Sequence, residues 1–130
     1  MTDPLATTQK SDAYDLLAPD GSEIRLLCQL AGGSMVHCAL PPGGVSIAIT
    51  HRTVEEIWFF LSGTGEVWRR RDGAEEITEA RPGLSLTIPL GTHFQFRNTG
   101  DTPLEFVLVT MPPWPGEDEA IESDGPWTPR

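Results

Sequence analysis

Between residues 22 and 110 the chain is a succession of short apolar runs in which the character of the side chain tends to change at every second position. In the run from His93 to Arg97, two phenylalanines alternate with three polar residues. That period of two is what a strand shows when its two faces meet different surroundings. Runs of this kind, rich in Val, Ile, Leu, Phe, Thr and Trp, predict strands over 22–30, 34–40, 45–51, 56–61, 65–71, 75–80, 84–88, 93–98 and 104–110. Nothing of helical length intervenes.

The breaks between the runs carry turn chemistry. Pro41-Pro42-Gly43-Gly44, Ser62-Gly63-Thr64-Gly65, Arg71-Asp72-Gly73, Arg81-Pro82-Gly83, Pro89-Leu90-Gly91 and Asn98-Thr99-Gly100-Asp101 each separate two apolar segments. None of the twelve prolines falls inside a proposed strand. Many short antiparallel strands at this spacing predict an all-β fold, a sandwich or a closed barrel.

The ends depart from this pattern. Residues 1–21 are polar and predict a loosely held segment, with Tyr14, Leu16 and Leu17 able to pin it to the body. Residues 112–130 combine prolines, acidic side chains, Trp114 and Trp127, which predicts an extended acidic tail anchored by its two tryptophans across the domain or a partner subunit. The domain itself is expected to occupy residues 22–111.

A length of 130 residues suits one domain with one core. The formal net charge of −10 would repel a nucleic-acid backbone, so that class of partner is set aside. Arg69, Arg70 and Arg71 form the one basic run, and their expected place is a solvated hairpin tip or a local counter-charge to Glu75 and Glu76. Cys28 and Cys38 have no CxxC spacing and are expected to be two buried free thiols. No apolar stretch reaches membrane-spanning length and no signal-peptide pattern opens the chain, so a cytoplasmic protein without a membrane partner is expected.

Two segments resemble the paired motifs of the cupin superfamily. The first lies in PPGGVSIAITHRTVEEIWFFLSG, where Glu56, six residues and Gly63 fit the spacing and, counting from Gly43, Ile49 and His51 stand at the two histidine positions. Counting from Gly44 places Thr50 and Arg52 there instead. The second lies in GLSLTIPLGTHFQFRN, where Gly83, Pro89, Gly91 and Asn98 match and Phe94 takes the histidine position, with His93 one residue early. The resemblance implies a double-stranded β-helix, a jelly-roll barrel with a small-molecule site at its mouth, and commonly a homodimer.

Cupin enzymes similar to this pattern hold Fe, Mn, Ni, Cu or Zn with three histidines and one glutamate. This chain has three histidines in all. His51, Glu56 and His93 are therefore the candidate ligands of a divalent transition metal, as a two-His-one-carboxylate face, provided a bulge rotates His93 inward. Glu55 substitutes for Glu56 if the loop shifts by one residue. His51 and Glu56 are also the candidate catalytic residues. His37, Trp58, Phe60, Phe94 and Gln95 are candidates for the substrate pocket, and which row of strand 93–98 points inward decides among them.

Three readings follow. The leading one is a metal-assisted enzyme acting on a small organic molecule, its reaction class (dioxygenase, isomerase, lyase or cyclase) open. The alternative is a metal-free cupin that binds an apolar or aromatic molecule as sensor, carrier or acid/base catalyst. The third is a structural dimer module.

Overall fold

The computed structural model describes residues 5–130. Its regular elements are almost all strands: β1 (Leu16–Leu17), β2 (Glu23–Leu30), β3 (Gly33–Leu40), β4 (Ile49–His51), β5 (Glu55–Ser62), β6 (Gly65–Arg71), β7 (Ala74–Ala80), β8 (Ser85–Ile88), β9 (His93–Asn98), β10 (Leu104–Met111) and β11 (Ala120–Glu122). One turn of 3-10 helix, Glu117–Glu119, precedes the last strand.

Two antiparallel sheets face each other, one in the order β1-β2-β3-β10-β5-β8 and the other in the order β11-β4-β9-β6-β7. The pattern-based strands match β2 to β10 closely. One long run was shorter than predicted: of 45–51 only Ile49–His51 is a ladder strand, while Val45 makes a single bridge to Arg97. The sheets form a double-stranded β-helix but are not hydrogen-bonded into a closed barrel, which corrects that part of the expectation. The opening between them is where the cavity lies.

Alternation sorts the strands cleanly. On β5, Glu56, Trp58 and Phe60 are buried while Glu55, Ile57, Phe59 and Leu61 are exposed. Between the sheets Trp58 stacks on Phe106 at 4.5 Å and meets Phe94 and Phe96 edge-on at 5.5 and 5.4 Å. Burying one such ring contributes about 1.5–3 kcal/mol, so this cluster is a large share of what holds the two sheets together.

The arginine run belongs to the hairpin of β6 and β7. Arg69 and Arg70 stand opposite Glu76 and Glu75, and Arg69 Nη2 lies 2.6 Å from Glu76 Oε1. Cys38 is buried in β3, whereas Cys28 is exposed on β2, so only one of the expected buried thiols is inside.

Residues 5–21 contribute β1, paired to β2, and a stretch whose Ser11 and Asp12 carbonyls accept hydrogen bonds from the Arg25 guanidinium. At the other end the tail turns back along the outer face of the second sheet. β11 pairs with β4, Arg130 exchanges two backbone hydrogen bonds with Val45, and the Arg97 guanidinium stacks over the Trp127 ring at 4.2 Å. The Gln95 amide, fully buried, donates to the Ser46 and Trp127 carbonyls and accepts from the Trp127 N–H. Glu119 reaches the Thr53 and Val54 amides and the Thr53 hydroxyl.

Replacing Gln95 by Leu removes the side-chain partner of the buried Ser46 carbonyl and of the part-buried Trp127 N–H and carbonyl, so Gln95→Leu is expected to lower unfolding stability by about 2 kcal/mol. Urea denaturation reads the loss. Limited proteolysis is expected to cut first within 112–130.

Candidate functional site

A cavity of about 330 Å³ opens between the two sheets. Its walls are apolar and aromatic, and Trp58, Phe94, Phe96, Phe106 and Trp114 line it. Its polar residues come from different elements: His51 from β4, Glu56 from β5, Ser34 from β3, Thr110 from β10, Gln29 from β2, and Asp20 and Ser22 from the turn ahead of β2.

Register explains part of this convergence. Thr110 stands opposite Ser34 on one side and Glu56 on the other, so Ser34, Thr110 and Glu56 form one row across three neighbouring strands. The Ser34 and Thr110 hydroxyls are hydrogen-bonded to each other, and Ser34 Oγ also accepts from the Trp114 N–H at 3.2 Å.

Glu56 is 5% exposed, and its Oε1 accepts a hydrogen bond from Trp58 Nε1 at 2.8 Å. Removal from water pushes its carboxyl up to about 8, against the pull of the Trp58 hydrogen bond, and the nearby Asp20 and Glu119 carboxyls push in the same direction. Glu56 is therefore mostly protonated at neutral pH. His51 sits edge-on between Phe94 at 5.3 Å and Trp114 at 5.2 Å. Burial lowers its imidazole to about 4, so it is neutral, and its Nδ1 has no hydrogen-bond partner among the described residues. Asp20 is also raised by burial, with the Ser22 N–H and hydroxyl donating to its Oδ1.

The other candidates lie elsewhere. On β9 the phenylalanine row faces inward, and His93, Gln95 and Arg97 face the tail. His93 Nδ1 is 2.6 Å from Ser123 Oγ, outside the cavity, because no bulge turns it inward. Gln95 is occupied by Ser46 and Trp127, as described above. His37 is buried on the face of β3 opposite Val36 and Cys38, with Nε2 3.0 Å from Glu105 Oε1. Phe60 is in the core, packed on Phe106, and does not line the cavity. Glu55 points to the exposed side and reaches the Leu90 N–H at 3.4 Å. Of the sequence candidates, then, His51, Glu56, Trp58 and Phe94 share the cavity, while His93, His37, Gln95 and Phe60 are corrections.

Asp20, Ser34, Thr110 and the pocket role of Trp114 had no local signal. Asp20 falls in a segment whose polarity reads as loosely held, and the Ser34–Thr110–Glu56 row arises from pairing between strands distant in the chain.

The residues from 36 to 110 match the family model described as cupin domain. The chain belongs to the cupin family. An uncharacterized protein of Methanocaldococcus jannaschii is 31% identical over 117 residues, covering 83% of this chain and 90% of that protein. Among solved structures, an uncharacterized protein with a double-stranded β-helix domain from Klebsiella pneumoniae superposes with a TM-score of 0.66 at 19% identity, over 86% of this chain and 92% of the other. Oxalate decarboxylase from Bacillus subtilis gives a TM-score of 0.72 at 17% identity, over 93% of this chain and 33% of that one. This cupin thus spans about a third of the decarboxylase, and at these identities the likeness of the structures is one of fold.

The donor set does not fit the metal that the family resemblance implies. Two of the three histidines face away from the cavity, and among the described residues no three His, Cys, Asp or Glu side chains converge as a metal-binding group.

The two shifted groups oppose each other as pH changes. Glu56, raised from 4.5 to about 8, binds its proton more tightly in the folded chain, so the stability it contributes is lost as pH rises through that window. His51, lowered from 6.5 to about 4, makes stability rise over the window between those values. Above pH 6.5 the Glu56 contribution remains alone of the two. Relative to Glu56→Gln, the native chain is therefore expected to lose about 2 kcal/mol of unfolding stability between pH 6.5 and 8. Urea titrations of both proteins at the two pH values measure the difference, and parallel behaviour would refute it.

Proposed function

We propose that this cupin is a metal-independent small-molecule protein whose cavity takes an apolar or aromatic compound, with Glu56 and His51 as its polar contacts. The observation that carries the reading is the cavity itself, about 330 Å³ of space walled by aromatic rings, with buried carboxyls and a buried imidazole on its wall but no metal-binding group of three His, Cys, Asp or Glu side chains among the described residues. That volume lies at the lower end of the range for small-molecule pockets.

The pair is suited to proton transfer. At neutral pH Glu56 carries a proton to donate, and His51 presents neutral nitrogen to accept one. Acid/base chemistry on the bound molecule is the activity this cavity supports best. Oxalate, which the name of one structural neighbour carries, is a poor match, because no Lys or Arg lines the cavity to receive a dianion.

The homodimer stays in this reading on the strength of the family resemblance, with half-exposed Ile57, Phe59 and Leu61 on the outer side of β5 as apolar surface available to a second copy. A solution mass of 14.2 kDa would remove it. A cytoplasmic setting is proposed on the same footing, and no helix among the described residues is long and apolar enough to cross a membrane.

Calorimetric titration with indole, a neutral aromatic probe, tests the site. Saturable binding is expected with Kd in the range of about 10–1000 μM, unchanged by a chelator. Val36→Trp, which fills one cavity wall, is expected to weaken it by at least about tenfold while the fold, checked by circular dichroism, persists. Stoichiometric divalent-metal binding that is lost in His51→Ala would overturn the metal-independent reading.

A further inference from the structure

The charge inventory of the cavity is one-sided. Its titratable lining consists of Asp20, Glu56, His51 and Cys38, with no Lys or Arg. Asp20 and Glu56 are 8% and 5% exposed, and the Asp20 carboxyl raises the cost of ionising Glu56. Ser22 donates two hydrogen bonds to Asp20, whereas Glu56 receives one, from Trp58, on Oε1. His51, 7% exposed, lines the same space with Nδ1 unpartnered.

Two buried carboxyls without a counter-charge are balanced by protons, by a metal ion or by an organic cation. Burial favours the protonated form of both. A metal lacks a converging set of ligands among the described residues. An organic cation meets both halves of the site: its charge is opposite to the carboxyls, and its hydrocarbon or aromatic body suits the apolar walls. The lining also includes the aromatic side chains of Trp58, Phe94 and Trp114, a residue type that attracts ammonium groups. The chain's net charge of −10 favours the approach of cations and opposes anions.

We propose that the ligand of this cavity is an apolar or aromatic amine, its ammonium group paired with the Glu56 carboxylate and its apolar body packed between Trp58, Phe94 and Phe106. The proposal rests on the small-molecule reading of the cavity and names the chemical class that the site takes. Binding exchanges one positive charge for another. The Glu56 carboxylic acid releases its proton to solvent, the amine enters as ammonium, and the resulting carboxylate and ammonium form an ion pair. The titratable groups around Glu56 are Asp20 ahead of β2, Cys38 on β3 and His51 on β4, which line the same cavity, and Glu119 of the tail, which raises Glu56 electrostatically. None of them supplies a positive charge at neutral pH, so the ammonium has no internal competitor.

Three near-isosteric probes test this on the full chain: 2-phenylethylamine, 2-phenylethanol and 3-phenylpropionate, titrated by calorimetry at pH 7, with zinc chloride titrated separately. The amine is expected to bind at least about tenfold more tightly than the alcohol, and the carboxylate most weakly. Titration in two buffers of different protonation heat is expected to show net proton release on amine binding, up to about one proton per amine. Glu56→Gln, its folding checked by thermal melting, is expected to abolish the preference of amine over alcohol and the proton release. If the alcohol binds as tightly as the amine, or if Glu56→Gln keeps the preference, the amine assignment fails and the small-molecule site stands. If none of the probes binds and Val36→Trp changes nothing, the small-molecule reading fails and the amine assignment with it. Zinc that binds stoichiometrically and competes with the amine would overturn the assignment in favour of a metal centre.

Discussion

The packing of Trp58, Phe60, Phe94, Phe96 and Phe106 between the two sheets sets the orientation of every strand around it. Side chains in a strand alternate strictly, so once Phe94 and Phe96 turn inward, His93, Gln95 and Arg97 must turn outward. The same rule on β5 sends Glu56 inward with Trp58 and leaves Glu55 in solvent. A carboxyl is thereby carried into an aromatic environment by its neighbours two residues on. That placement is costly for a charge, and it is the origin of the raised Glu56 carboxyl.

The outward row of β9 would leave polar groups on the face of a central strand, and the tail resolves this. Gln95 exchanges hydrogen bonds with Trp127, Arg97 stacks on the Trp127 ring while pairing with Glu66, and His93 meets Ser123. The tail also reaches the cavity from the other side, since Trp114 lines it and packs against His51. One segment thus satisfies the outer face of the second sheet and completes an inner wall. Mutations in the tail and mutations in the cavity are coupled through this shared chain.

Cupin membership is a statement about scaffold, and a scaffold leaves its chemistry to the residues at the site. Here the turn residues Gly63, Gly83 and Gly91 all adopt positive φ, as the motif spacing of a cupin requires at such corners. At the ligand positions Ile49 and Phe94 supply apolar wall instead of imidazole. The cavity is accordingly lined by acidic and aromatic side chains. On the proposed small-molecule reading, desolvation penalises a ligand that adds negative charge beside Asp20 and Glu56.

The strand pattern, the turns, the family and the inward position of Glu56 and Trp58 were legible in the residues, because alternation and turn chemistry are local properties read within a few positions. The sequence also showed that a three-histidine ligand set was out of reach. Whether His93 or Phe94 faced the cavity was left open by the chain itself, since a single bulge reverses the answer and no local residue forbids one. Tertiary packing decided it: burying two phenylalanines in the core outweighs turning one imidazole inward, and the tail gives the displaced polar row its partners. The row of Ser34, Thr110 and Glu56 and the approach of Asp20 depend on register between strands far apart in the chain. Such register is fixed only when the two sheets close on one core, and for that reason the chemistry of the cavity belongs to the folded molecule.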